Sequence, residues 1–226
     1  MINKFYSNPE EAIADIHDGA TVLVGGFGGA GAPTELIHLL IDQGARDLTV
    51  VNNNAGNHDT GLAALIQANR VRKMICSFPK ASHSWVFNEK YKNNEIELEC
   101  VPQGTIAERL HAAAAGLGGF YTRTAYGTDL AKGKETRELD GQMYVFEKPL
   151  HGDFALVRAE KGDRWGNLVY KKAQRNFGPV MCMAAKQTIV QVQQFVELGD
   201  LDPESIVTPG IFVQRLVEIT NPQISS

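Results

Sequence analysis

Along the chain, short β-branched and apolar runs alternate with longer segments whose apolar residues recur at helical spacing. Thr21 to Val24 reads as a strand, and Pro33 then opens the segment TELIHLLIDQG. Its Leu36, Ile37, Leu39, Leu40 and Ile41 predict a helix buried over a broad face, stopped at Gly44. LTVVN, ending at Asn52, is the next strand, followed by a polar turn and a helix over GLAALIQAN. VRKMICSF predicts a third strand, WVFNEKYKNN a helix and IELECV a fourth strand. TIAERLHAAAAG then predicts an alanine-rich helix ended at Gly116. This rhythm gives an α/β fold: a single open, mostly parallel sheet with helices on both faces.

After Gly116 the pattern weakens. The stretch around 117–142 is rich in Gly, Thr and charge, so it reads as an irregular, loop-rich insert in one domain spanning 1–226. QMYVFEK and DFALVRAEKGD predict strands, with GDRWGN as the turn into LVYK. A helix is expected around Val180 to Lys186, then a strand over TIVQVQQFVE. The closing NPQISS reads as a frayed end.

Composition narrows the class without naming a function. Hydrophobic residues make up 43% and charged residues 21%, an ordinary globular mixture. A formal charge of -4 offers no general basic field for nucleic acid or an anionic membrane. Cys76, Cys100 and Cys182 lack CxxC spacing, which argues against a disulfide framework and against a zinc site. Cys182, in GPVMCMAA, reads as packing. The six histidines are dispersed and read as surface or packing residues, so no metal is expected. The first residues lack a signal-peptide core, and no run of about 18 apolar residues is present. A cytoplasmic location is the expectation.

The stretch VLVGGFGGAG carries the first chemical signal. Gly26, Gly28 and Gly31 have the spacing of a dinucleotide loop, in which glycines let backbone approach a pyrophosphate. Such a loop needs an acidic residue at the end of the second strand, where this chain has Asn52, Asn53 and Asn54. A nicotinamide or flavin reading is thereby weakened. Five glycines in seven residues still exceed what a tight turn requires, so close approach of some ligand is expected. Phe27 among them is either a core plug or an apolar wall beside that ligand.

A more demanding pattern surrounds this loop. DGATVLVGGFGGAGAP, Asp18 to Pro33, has an Asp-Gly, two free positions, three apolar residues, Gly-Gly-Phe, three free positions and Gly-x-Pro. It resembles the signature of the A subunit of family I CoA-transferases at every position. The resemblance continues through NNAGNHDTGLAALI, ELECVPQGTIAERL, KGDRWGNLVYKKAQRNFGP and LDPESIVTPGIFVQRLVE, covering nearly the whole chain in order.

The resemblance implies a fold of the CoA-transferase type and a covalent ping-pong reaction on coenzyme A thioesters, with no permanently bound cofactor. CoA would pass from succinyl-CoA to an acid, with 3-oxoadipate the expected acceptor and acetoacetate or a short-chain fatty acid the alternatives. The attacking glutamate belongs to the B subunit in the family, within a Ser-Glu-Asn-Gly type motif. This chain has no such motif, since Glu138-Leu-Asp-Gly is not one. It is therefore expected to act only with the CoA-transferase B subunit, as a heterodimer or heterotetramer. By the same resemblance, Gly25, Gly26, Phe27, Gly28, Gly29, Ala30 and Gly31 fall on the CoA-binding segment. Gln103 falls on an oxyanion-stabilising glutamine, and Asn52 and Asn53 on asparagines lining the site.

On the residues alone, Gln103 reads as a polar side chain in a strand-to-helix turn, and Asx-turn chemistry is expected of Asn54 and Asn57. Lys132, Lys134 and Arg137 read as a solvated charge cluster that could instead meet CoA phosphates or a dicarboxylate, for which Arg123 is a further candidate. Trp165 fits either an edge cover or an intersubunit contact. A non-catalytic acyl-CoA or nucleotide-binding module is the alternative of another class.

Overall fold

The structure is a computed structural model and describes residues 2–219, so the expected frayed end at 221–226 lies outside the described residues. The strands are β1 (Thr21–Val24), β2 (Leu48–Val51), β3 (Val71–Cys76) and β4 (Glu97–Cys100), then β5 (Phe120–Thr122), β6 (Thr136–Leu139) and β7 (Gln142–Glu147). β8 (Gly152–Asp163), β9 (Leu168–Val169), β10 (Ala185–Val196) and β11 (Arg215–Glu218) complete them. The helices are α1 (Pro9–Ile13), α2 (Thr34–Gln43), α3 (Leu62–Gln67), α4 (Trp85–Lys92), α5 (Gln103–Ala114) and α6 (Gly178–Ala184).

The main sheet runs β11-β10-β8-β1-β2-β3-β4, all neighbours parallel, with the short β9 pairing antiparallel to β8. Strand periodicity divides the core in two. Val22 and Val24 of β1 share a buried cluster with Leu36, Ile37 and Leu40 of α2 and with apolar residues of α1, α3 and α4. Leu23, between them, belongs to the opposite cluster with Ile106 and Leu110 of α5 and Met181 of α6. Helices therefore cover both faces. Each fully buried Leu or Ile contributes about 1.5–3 kcal/mol relative to exposure, so these two layers dominate the stabilisation.

Two expectations are corrected, and two elements were not anticipated. The stretch read as loops carries two strands, β5 and β6, which join β7 in a separate antiparallel sheet ordered β5-β7-β6. Its β6 is exposed at all four positions, so no apolar alternation marks it. The legible signal was Asp140-Gly141, both at positive φ (50° and 71°), in the turn between β6 and β7. The helix expected over Val180 to Lys186 ends at Ala184, because Ala185 is already extended and begins β10. Finally, α1 and β11 were not anticipated. Asn8 caps α1 by accepting from the Glu10 N–H at 3.0 Å, and β11 extends the sheet beyond β10.

Because β1 to β4 are parallel, their carboxyl ends share one edge. Gly25, Asn52, Ser77 and Val101 each follow a strand there, and Gln103 opens α5 two residues later. That edge gathers the residues singled out in the sequence.

Candidate functional site

The glycine loop leaves β1 and folds back at once. Phe27 N–H donates to the Ala30 carbonyl at 3.0 Å, and Ala30 N–H returns a bond to Phe27 O at 3.2 Å. The N–H groups of Gly28 and Gly29, at the tip, make no hydrogen bond among the described residues. A Cβ added to either glycine would meet nothing within 4 Å. Packing does not demand glycine at position 29, and the φ of 60° favours it at Gly28.

The loop's base is different. Gly31, at φ 74°, would place a Cβ 2.2 Å from the Gln174 carbonyl oxygen. Gly26 N–H donates to Asn176 Oδ1 at 3.1 Å, and Asn176 Nδ2 donates to the Ala30 carbonyl at 2.9 Å. Asn176 thus holds both ends of the turn, although sequence reasoning did not single it out. Its signal was an Asn just ahead of the Phe-Gly-Pro that starts α6.

The three asparagines after β2 divide their work. Asn52 is buried, and its Nδ2 donates to the Val24 carbonyl at 2.7 Å. Its Oδ1 accepts from the Asn54 N–H at 3.0 Å, so Asn52, rather than Asn54, makes the Asx bond. The correction has a simple cause: a carboxamide buried between two strand ends must find backbone partners. Asn53 Oδ1 accepts from Ser77 Oγ at 2.8 Å, while its Nδ2 makes no hydrogen bond among the described residues. Asn57 Oδ1 accepts from Ser84 Oγ at 3.2 Å.

Two adjoining cavities open here. One, of about 400 Å³, is lined by Phe27, Gly28, Asn53, Ser77, Phe78 and Gln103, among others. Gln103 is exposed, and its carboxamide makes no hydrogen bond among the described residues. Phe27 and Phe78, 46% and 58% exposed, stand as apolar walls; the core-plug reading of Phe27 is thereby corrected. The second cavity, of about 250 Å³, lies beyond Gly28 and Asn54, which line both. Gly25, Gly29 and Asn52 line it, whereas Gly26, Ala30 and Gly31 line neither cavity.

Beside the apolar walls of Phe27 and Phe78, the site carries carboxamides and hydroxyls, with His58 the one titratable side chain among the described residues. Among the described residues no Asp, Glu, Lys or Arg lines either cavity. Ser77 has a hydroxyl there, but no base accompanies it, and its bonds run to the Asn53 carbonyl and Oδ1. The unpaired Gln103 carboxamide and the unpaired Asn53 amide N–H therefore line a cleft without an activated nucleophile of its own. The cation cluster lies elsewhere: Lys134 bonds the buried Glu147 carboxylate at 2.5 Å, and Arg137 sits 5.4 Å over the Tyr121 ring. Neither residue is simply solvated. Burial pushes the Cys182 thiol up to about 12, which suits packing.

The family model described as Coenzyme A transferase matches residues 6–219, almost all of the chain. The chain belongs to the coenzyme A transferase family. It is 62% identical over 226 residues to the A subunit of 3-oxoadipate CoA-transferase of Pseudomonas putida, covering 100% of this chain and 98% of that one. It is 46% identical over 221 residues to the A subunit of succinyl-CoA:3-ketoacid coenzyme A transferase of Xanthomonas campestris, covering 97% and 90% of the two chains. Among solved structures, the apoenzyme of an acyl-CoA transferase from Escherichia coli O157:H7 is similar with a TM-score of 0.83 and 25% identity. This coenzyme A transferase chain spans about half of that enzyme: 99% of it is covered, against 48% of the other.

Proposed function

We propose that this chain is the A subunit of a 3-oxoadipate CoA-transferase, moving CoA from succinyl-CoA to 3-oxoadipate together with a B subunit. The supporting observation is a cleft holding two unpaired amide donors and no activated attacking side chain, in a chain 62% identical throughout to a protein of that name.

In this scheme a glutamate carboxylate of the B subunit attacks the succinyl thioester carbonyl. The oxygen that becomes negative accepts hydrogen bonds from the Gln103 and Asn53 carboxamides, whose N–H donors no protein group occupies. Collapse expels CoA thiolate and leaves a mixed anhydride. The thiolate then attacks the glutamyl carbonyl, releasing succinate and leaving a glutamyl-CoA thioester. The acceptor's carboxylate repeats these steps in reverse, taking the CoA and freeing the glutamate. A donor aimed at a developing oxyanion accelerates such steps by about 10²–10³. Asn52 and Asn176 act through the loop, holding Gly25 to Ala30 in the shape that admits the acid. The same reading places the complex in the cytoplasm, which fits three free thiols. Among the described residues no helix is long and apolar enough to cross a membrane.

The test is to assay the chain with and without its glutamate-bearing partner, using succinyl-CoA and either 3-oxoadipate or acetoacetate. The expected result is no transfer by the chain alone and, in the complex, a higher kcat/KM for 3-oxoadipate. A preference for acetoacetate overturns the acceptor assignment. Absence of any transfer in the complex points to a module that only binds acyl-CoA.

A further inference from the structure

The geometry points to His58, held in place by His83, as the specificity-determining residue that receives the second carboxylate of a dicarboxylic acceptor. The inference rests on the acceptor reading above and adds a residue to it. A 3-oxo dicarboxylate keeps one carboxylate charged throughout the reaction. Taking that charge out of water without a partner is costly. The cations considered for it in the sequence do not meet the need: Arg123, Lys132, Lys134 and Arg137 line neither cavity, and Lys134 is already bound to Glu147.

The second cavity meets it better. It adjoins the Gln103 cleft across Gly28 and Asn54, so an acid reacting at Gln103 extends into it. Its lining includes Asn57, His58, Thr60, Gly56 and Gly61, with Val24, Ile37 and Leu62 as apolar residues. No carboxylate lines it to repel an anion, and His58 is the one titratable side chain among its lining residues. An imidazole offers a ring N–H to a carboxylate in either tautomer, and two when protonated.

His58 is also fixed in advance. Its backbone is left-handed, at φ 56°, and its N–H donates to the His83 carbonyl at 2.8 Å. The two imidazoles stack with centroids 4.7 Å apart and planes at 19°. Next to His83, buried Ser84 donates from Oγ to the Gly56 carbonyl at 2.8 Å, pinning this loop to the asparagine turn. The same loop sends Ala81 to the Gln103 cleft, so one segment sets the spacing between the two cavities. A ring ordered before binding loses less entropy on contact with its anion.

The test compares kcat/KM for 3-oxoadipate and acetoacetate in the assembled complex carrying His58→Gly, a change that accepts the positive φ. The ratio of the two values is expected to fall at least tenfold. His58→Asn, which tolerates the same backbone and retains an N–H donor, is expected to recover part of that ratio. His83→Ala, which removes only the stack, is expected to give a smaller fall. Equal losses on both acids, or an unchanged ratio, overturn the role of His58. If His58→Gly does not assemble, the ratios of the other two variants decide: a fall supports the role, and an unchanged ratio in both overturns it. A wild-type complex active on acetoacetate but inert toward 3-oxoadipate overturns the acceptor assignment itself, a distinct result.

Discussion

The carboxyl ends of β8 and of β2 are built alike and finished differently. After β8, the buried Asp163 carboxylate accepts from the Trp165 and Asn167 N–H groups at 2.9 and 3.1 Å and from Asn167 Nδ2 at 2.8 Å. Its bonding capacity is turned inward to close a turn. After β2, Asn52 does the same work, but its neighbour Asn53 leaves an amide N–H unpaired beside a cleft. Asp163 and Asn52 satisfy the rule that buried polar groups find partners, and the buried Asn53 does so through Oδ1 alone. We propose that the donor left free on this frame marks the end that meets a substrate.

The largest effect that sharpens this contrast is expected at the open end. Gln103→Ala in the assembled complex should lower kcat by about 10²–10³ while leaving the melting temperature unchanged. Steady-state kinetics beside thermal denaturation checks both halves, and an unchanged kcat removes Gln103 from oxyanion stabilisation. Asp163→Ala should do the reverse. It leaves turn N–H groups without their acceptor and should cost about 2–3 kcal/mol of stability, with kcat retained below the melting range. Chemical denaturation measures the first effect, and a loss of kcat in the folded complex would erase the distinction between the two ends.

The placement of the site residues on one edge was legible in the sequence. The alternation of strand and helix patterns located β1 to β4 and α2 to α5, and parallel connection alone brings the glycine loop, the asparagines and Gln103 to one edge. The division of labour was not legible. Asn52, Asn53 and Asn54 are the same residue type in a row, and only burial and partner distances assign the Asx bond to the first and the free amide to the second. Asn176 was hidden for another reason: it reaches the loop across 150 residues of chain. His58 and His83 read as dispersed histidines because their stack joins loops 25 residues apart. Of the sheet of β5, β7 and β6, only β7 was expected, and exposure at all four positions of β6 removes its hydrophobic pattern.

Within the glycine loop a smaller effect refines the comparison. Gly29→Ala fills open space at the tip, so stability should hold while the added methyl weakens acid binding by about 1 kcal/mol, roughly fivefold in KM. A fall in melting temperature without a change in KM would assign Gly29 to folding instead. The smallest effect concerns the opposite edge of the sheet. The Lys186 ammonium and the Thr21 N–H hold the Asp153 carboxyl below its usual range, tying β10 and β1 to β8. A depressed carboxylate stabilises the fold above its unfolded pKa, about 3.9, and that contribution is lost as pH falls through the lower folded value. The destabilisation caused by Asp153→Asn should accordingly be present at pH 7 and shrink below about pH 4. Denaturation midpoints across that window, equal in size at both ends, would break the link.

In the proposed function the cleft supplies donors and the covalent bond forms on the partner. Intact masses of both proteins, measured after the complex is incubated with succinyl-CoA and no acceptor, test this directly. The expected result is a CoA thioester adduct on the B subunit with this chain unmodified; an adduct on this chain would contradict the proposed division of labour.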